Sequence, residues 1–321
     1  MAITSKSILE AHDRIRPYIH QTPVLTCQTL DRLSGSSLFF KCENFQKIGA
    51  FKIRGGMNAA LSLDSGSLQK GLATHSSGNH AQAIAYAAKV LGTRAFIVMP
   101  NNSPKVKVDA VRGYGADITF CEPNQDARES TLKNVLERTG ATFIHPYNDE
   151  RVITGQATCV KELIEQVNGL DVVIAPVGGG GLLSGTSLGV HYFSPQTKVY
   201  AGEPEGAADA VLSFRSGKIE KAPYIDTIAD GLLTSLGDLT LPIIRQMVTD
   251  ILTVNDQEII ASLRLIYERM KIVVEPSCVV TLAAVLRYPD IFKNKRVGLI
   301  LTGGNVDLTK LSGWFSAAKG S

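Results

Sequence analysis

Short apolar runs rich in β-branched or aromatic residues alternate along this chain with stretches of helical periodicity, and that alternation restricts the fold more than any other feature. Candidate strands are Ser37–Lys41, Leu72–His75, Ala95–Met99, Asp117–Cys121, Thr142–His145, Asp171–Pro176, Lys198–Glu203 and Arg296–Thr302. Between them, His80–Leu91, Lys105–Arg112, Arg128–Thr139, Arg151–Gln166 and Asp256–Lys271 read as helices. Repeated strand–helix units of this spacing predict an α/β fold with largely parallel, twisted sheets flanked by helices. Several strands run out into Gly, Ser or Asn clusters that open the next helix, and open α/β sheets bind ligands at such strand ends. Residues 71–148 form a compact run of these units, flanked by segments that must pair with each other. The expectation is a small domain, 71–148, inserted into a larger one made of 1–70 and 149–321, with a ligand cleft between them.

The chain has 321 residues, 44% of them apolar and 20% charged, which is enough for two cored domains. Its 33 basic and 30 acidic residues are interspersed and leave a net charge of +3, with no basic stripe of the kind that grips nucleic acid. The 5 cysteines, Cys27, Cys42, Cys121, Cys159 and Cys278, show no paired spacing, which argues against a disulfide framework and a structural zinc site. Residues 1–20 carry Glu10, Asp13 and Arg14 in a helical pattern, unlike a signal peptide, and no apolar run reaches membrane-spanning length. A cytoplasmic location is the default expectation.

Four segments concentrate chemical capacity. In the first, Asn44 to Gly55, Lys52 stands between Phe51 and Ile53; alone it reads as a solvated lysine, and it becomes a covalent catalyst only if partly desolvated beside a carbonyl. In the second, His75-Ser76-Ser77-Gly78-Asn79-His80 lies between a strand and a helix. Hydroxyls and N–H groups there suit a carboxylate or phosphate, although an ordinary Ser N-cap explains one of the serines. The third is Gly178-Gly179-Gly180-Gly181, whose successive N–H groups can converge on a phosphate because no side chain intervenes. The fourth, Thr302-Gly303-Gly304-Asn305, closes the last strand. No GxGxxG or Walker A pattern is present. Gly185-Thr186-Ser187-Leu188-Gly189 matches GxSxG, but Ser187 falls inside a helix rather than at a strand exit, which disfavours a nucleophile elbow.

Taken in order, Phe-Lys-Ile-Arg-Gly, Ser-Ser-Gly-Asn-His and the tetraglycine loop resemble the fold-type II (tryptophan synthase β-like) enzymes that use pyridoxal 5′-phosphate (PLP). The branch is that of the serine racemases and serine/threonine dehydratases. The likeness runs from Thr22-Pro23-Val24-Leu25 to Gly303-Gly304-Asn305-Val306-Asp307 and is greatest to the plant-like serine racemases, through residues 10–23 and Thr227-Ile228-Ala229-Asp230-Gly231. The resemblance implies that Lys52 carries the cofactor covalently, that Phe51 packs beside its ring, and that Gly178, Gly179, Gly180 and Gly181 hold its phosphate. Asn79 would hydrogen-bond the ring hydroxyl. Thr302 would meet the ring nitrogen, where Ser is common in the family.

The same resemblance implies a two-base racemisation in which Lys52 serves one face of the α-carbon and Ser77 the other. Ser76, Ser77 and His80 belong to the loop that takes the substrate carboxylate. Arg128 and Thr234 stand where relatives meet a second carboxylate, which makes threo-3-hydroxyaspartate a candidate substrate beside serine. Glu203, Ala207 and Asp209 match the spacing of a divalent-cation site, for Mg²⁺ with Ca²⁺ or Mn²⁺ as substitutes. Read from the residues alone, Glu203 ends a strand and Asp209 sits in a helix's first turn. The activity so implied is interconversion of L- and D-serine with β-elimination of serine to pyruvate and ammonia. The alternative is an ammonia-lyase for threo-3-hydroxyaspartate, L-serine or L-threonine with minor racemisation. A homodimer is expected, and a nucleotide effector stays open.

Overall fold

The computed structural model describes residues 3–76, 78–103 and 105–317. Among the described residues, ten strands build two sheets. The larger contains β1 (Val24–Leu25), β2 (Ser37–Cys42), β7 (Val172–Pro176), β8 (Lys198–Pro204), β9 (Asp250–Val254) and β10 (Arg296–Leu301), in the order β1-β2-β10-β7-β8-β9. The smaller contains β3 (Leu72–His75), β4 (Ala95–Pro100), β5 (Asp117–Cys121) and β6 (Thr142–Phe143), in the order β5-β4-β3-β6. Within these two sheets every described strand pairing is parallel except that of β1 with β2. Parallel strands covered on both faces need apolar side chains throughout, and β4 and β7 are buried at every position.

The predicted strands all form, with the Thr142–His145 run ending at Phe143. Two strands escaped the sequence reading. β1 has only two residues, too few for any period, and β9 follows directly on the helix Thr240–Met247, which blurs its start. The predicted helix over 256–271 stops at Leu265 and continues as a π-helical turn to Met270, where Lys271 takes φ 60°. Ser187 lies buried inside the helix Gly181–Phe193, so it presents no exposed nucleophile.

The Lys52–Leu61 helix joins the two layers. Its Ile53 and Met57 pack with Leu72, Ile84 and Ile97 of the smaller sheet's core. Its opposite anchor is Arg54, a fully buried guanidinium. Arg54 Nε and Nη2 donate to the Glu43 carboxylate at 2.7 and 2.8 Å, and Nη1 and Nη2 donate to Glu162 at 2.8 Å each. Lys41 Nζ completes the group by donating to Glu162 at 2.7 Å. Two cations thus meet two carboxylates, and doubly bidentate geometry offsets the cost of burying them. The consequence is positional: the helix that carries Lys52 is pinned to the turn that follows β2 and to the Glu150–Gln166 helix.

Candidate active site

Lys52 opens its helix directly after a strained approach. Ile48 and Gly49 hold φ of 61° and 68°, and for a β-branched residue such as Ile48 that conformation is costly. The turn brings Phe51 N–H to the Thr302 carbonyl at 3.0 Å and bridges Ala50 to Gly303, so the Lys52 segment is stitched to the end of β10. Lys52 Nζ donates to the Pro146 carbonyl at 2.9 Å and lies 5.3 Å from the centre of the Phe51 ring. Burial pushes its ammonium down to about 8, with the Glu275 carboxylate opposing the fall. A lysine so placed yields its proton far more readily than a solvated lysine, although most molecules still carry it at pH 7.

One cavity gathers the segments singled out from sequence. Phe51, Lys52, Ser76, Asn79, His80, Arg128, Gly178 to Gly181, Thr234 and Thr302 all line it. Ser77 lies outside the described residues. Gly180 has φ 87°, and a Cβ there would come within 2.8 Å of Leu236, Ile244 and Thr240. A Cβ at Gly181 would come within 2.9 Å of Tyr147. Glycine is therefore required here on two counts, conformation and space. The Gly181–Phe193 helix has no side chain bonded at its N-cap, which leaves its first N–H groups open to an anion. Such a cradle beside a buried lysine that yields its proton more readily than a solvated one fits a phosphorylated aldehyde cofactor.

The remaining wall is polar and locked. His80 Nε2 lies 3.1 Å from the Ile144 carbonyl, and burial drives its basicity well down. His145 Nδ1 accepts from Tyr147 N–H at 3.2 Å and Asn148 N–H at 2.9 Å, so its proton sits on Nε2. Burial lowers His145 to about 4, which keeps it neutral. Arg128 Nε is buried with no hydrogen-bond partner among the described residues. An unpaired guanidinium N–H is an unmet demand for an acceptor. Lys107 pairs with Asp230 across the rim. The sequence reading missed Glu275, Lys107, His145 and Tyr147 as lining residues. For Glu275 a signal existed, an acid set between Val274 and a helix-opening Pro276 in otherwise apolar surroundings.

Glu203, Ala207 and Asp209 sit apart from the cavity lining, at the end of β8 and the start of the Asp209–Ser216 helix. Glu203 accepts from Ala210 N–H at 2.6 Å and Val211 N–H at 2.9 Å. Burial raises Glu203 to about 8 and Asp209 to about 6, and Asp209 Oδ2 has no partner among the described residues. No cluster of three or more His, Cys, Asp or Glu side chains able to hold a metal occurs among the described residues. Two neighbouring buried carboxylates with an orphaned oxygen nonetheless suit an oxygen-seeking cation helped by a backbone carbonyl.

Comparison with known proteins agrees with this geometry. Residues 15–303 match the family model described as pyridoxal-phosphate dependent enzyme, and the chain belongs to that family. It is 52% identical to a β-hydroxyaspartate dehydratase of Paracoccus denitrificans over 96% of this chain and 98% of that one. It is 49% identical to a serine racemase of Arabidopsis thaliana, over 98% of this chain and 96% of that one. Among solved structures, a maize serine racemase superposes with TM-score 0.95 at 45% identity, covering 99% of this chain and 98% of that one. The protein is therefore a PLP-dependent enzyme with the fold-type II architecture. No helix among the described residues is long and apolar enough to cross a membrane.

Proposed function

We propose that this enzyme is a serine racemase that also eliminates water from serine, giving pyruvate and ammonia. The observation that carries the reading is the buried Lys52, pushed down to about 8, facing the tetraglycine cradle within one cavity. When bound, pyridoxal phosphate supplies an aldehyde for attachment to Lys52 and a ring that draws electrons from the substrate's α-carbon. The chain's own residues then divide the work. Gly178 to Gly181 hold the phosphate, Phe51 flanks the ring, and Thr302 offers a neutral hydroxyl to its nitrogen. Ser76 and the N-terminus of the Asn79–Val90 helix take the substrate carboxylate, beside His80. Lys52, as a free amine, removes or returns the α-proton on one face, and Ser77 serves the other. Loss of the β-hydroxyl as water, followed by hydrolysis, releases pyruvate and ammonia instead.

The Paracoccus relative and the unpaired Arg128 Nε favour a second reading, in which threo-3-hydroxyaspartate places its extra carboxylate on Arg128 and Thr234. We further propose that Glu203, the Ala207 carbonyl and Asp209 hold Mg²⁺, replaceable by Ca²⁺ or Mn²⁺. Residues 71–148 would form a small domain carried on 1–70 and 149–321, in a cytoplasmic homodimer open to a nucleotide effector. The deciding experiment incubates the purified enzyme with L-serine and with L-threo-3-hydroxyaspartate, with and without EDTA, and resolves keto acid from both enantiomers. D-serine from L-serine supports the first reading. Keto acid from hydroxyaspartate with no detectable D-serine replaces it with the second.

A further inference from the structure

Behind the cavity wall runs a hydrogen-bond chain of fixed polarity. Asn305 Nδ2 donates to the Ile48 carbonyl at 2.8 Å and to Asn79 Oδ1 at 2.8 Å. Because the Ile48 carbonyl can only accept, the Asn305 amide must face it with nitrogen, and Asn79 must then present its oxygen to Asn305. The nitrogen of Asn79 is thereby turned to Glu275, donating to Oε1 at 2.9 Å and Oε2 at 3.2 Å. The Glu275 main chain is held in turn, its backbone N–H donating to the Gly303 carbonyl at 2.9 Å. The strained Ile48 belongs to the same device: its positive φ is what accompanies the carbonyl that starts the chain.

Glu275 forms no ion pair among the described residues, although it lines the cavity with Lys52. We propose that Glu275 is a positioning residue: with Asn305 it orients the Asn79 amide, so that the Asn79 N–H not taken by Glu275 is the donor offered to the cofactor's ring oxygen, with a titratable carboxyl set behind it. The idea rests on the reading of Asn79 as the partner of that oxygen, and is independent of which amino acid is the substrate. Burial pushes the Glu275 carboxyl up to about 7. The nearby Asp230 carboxylate adds to the rise, while the Lys107 ammonium, the Asn79 amide and the Asn305 N–H oppose it. Lys52 and the Cys278 thiol are the other ionisable groups that feel its charge. Glu275 can thus change charge in the range where the enzyme would work, and an amide one bond away passes that change to the ring.

The test is a substrate-free pH titration of the holoenzyme's visible cofactor absorbance, in the parent, in Glu275→Gln, in Asn79→Ala and in the double variant. Gln keeps an acceptor for Asn79 but cannot ionise. The expected result is that Glu275→Gln abolishes a spectral step near neutrality or displaces the titration on the order of one pH unit. The same change should have no further effect in the Asn79→Ala background, as required of a residue acting through another. Superimposable titrations of parent and Glu275→Gln, or an undiminished shift in the double variant, would overturn the proposal. If the Gln variant fails to retain cofactor, Glu275→Asp carries the test, since it keeps the charge but withdraws it by one methylene. Its titration should be displaced with the step retained, and a curve identical to the parent's counts against the proposal. Failure of the Asn79 reading would show separately, as an Asn79→Ala spectrum equal to the parent's at every pH.

Discussion

A lysine whose ammonium is held near 8 leaves a mark on stability as well as on chemistry. In the cofactor-free protein the unfolded chain keeps the Lys52 proton up to about 10.5, the ordinary lysine value, while the folded chain sheds it from about 8. Across that window the unfolded state binds more protons, so folding stability rises with pH; below it the fold carries a cost of roughly 3 kcal/mol. Denaturant unfolding of the cofactor-free parent and of Lys52→Met at pH 7 and pH 10 checks this. The parent should gain stability relative to the variant at the higher pH, and parallel behaviour would contradict a buried lysine with a lowered pKa. At the same scale, Arg128→Ala should lower kcat/KM for threo-3-hydroxyaspartate by about 10-fold or more while changing that for serine far less, since a charged hydrogen bond is worth about 1.5–3 kcal/mol. Equal losses on both substrates would remove Arg128 from the second-carboxylate role.

Two elements decide whether Lys52 and the tetraglycine turn meet. The Lys52 helix is pinned by Arg54 between Glu43 and Glu162, and removing one partner strands the others as buried charge. Arg54→Met should cost about 3–5 kcal/mol in urea unfolding; a loss under about 1 kcal/mol would mean that packing alone holds the helix. The tetraglycine turn is the second element. Gly180→Ala should weaken cofactor retention at least several-fold in equilibrium dialysis, because φ 87° and the crowding by Leu236, Ile244 and Thr240 leave no room for a methyl group. Both elements were legible in the sequence, the turn through its uninterrupted glycines and the start of the helix through the Phe-Lys-Ile-Arg-Gly run that opens the resemblance. The Arg54 network was not legible, because Lys41, Glu43, Arg54 and Glu162 are spread over 121 residues and carry no local period. Glu275 and His145 were missed for a related reason. Each reaches the cavity only because another strand end brings Asn79 or Lys52 to it.

For the whole molecule the cleft is the organising fact. The two sheets meet through the Lys52 helix, and the cavity takes residues from both: Ser76 and Arg128 from the segment of the smaller sheet, the tetraglycine loop and Thr302 from the larger. The Glu203–Asp209 pair lies at the end of β8, outside the cavity lining, so a cation there would act on stability before chemistry. Added Mg²⁺ should raise the melting temperature of EDTA-treated enzyme, with about 2.7 kcal/mol of stabilisation at a hundredfold excess over Kd. Asp209→Asn should blunt that response, and an equal response in parent and variant would place the cation elsewhere. The proposed attachment of the cofactor to Lys52 underlies the other catalytic roles proposed for the cavity. Borohydride reduction of the holoenzyme followed by peptide mapping should find the pyridoxyl mass on the peptide containing Lys52, and finding it on another lysine, or on none, would contradict the account.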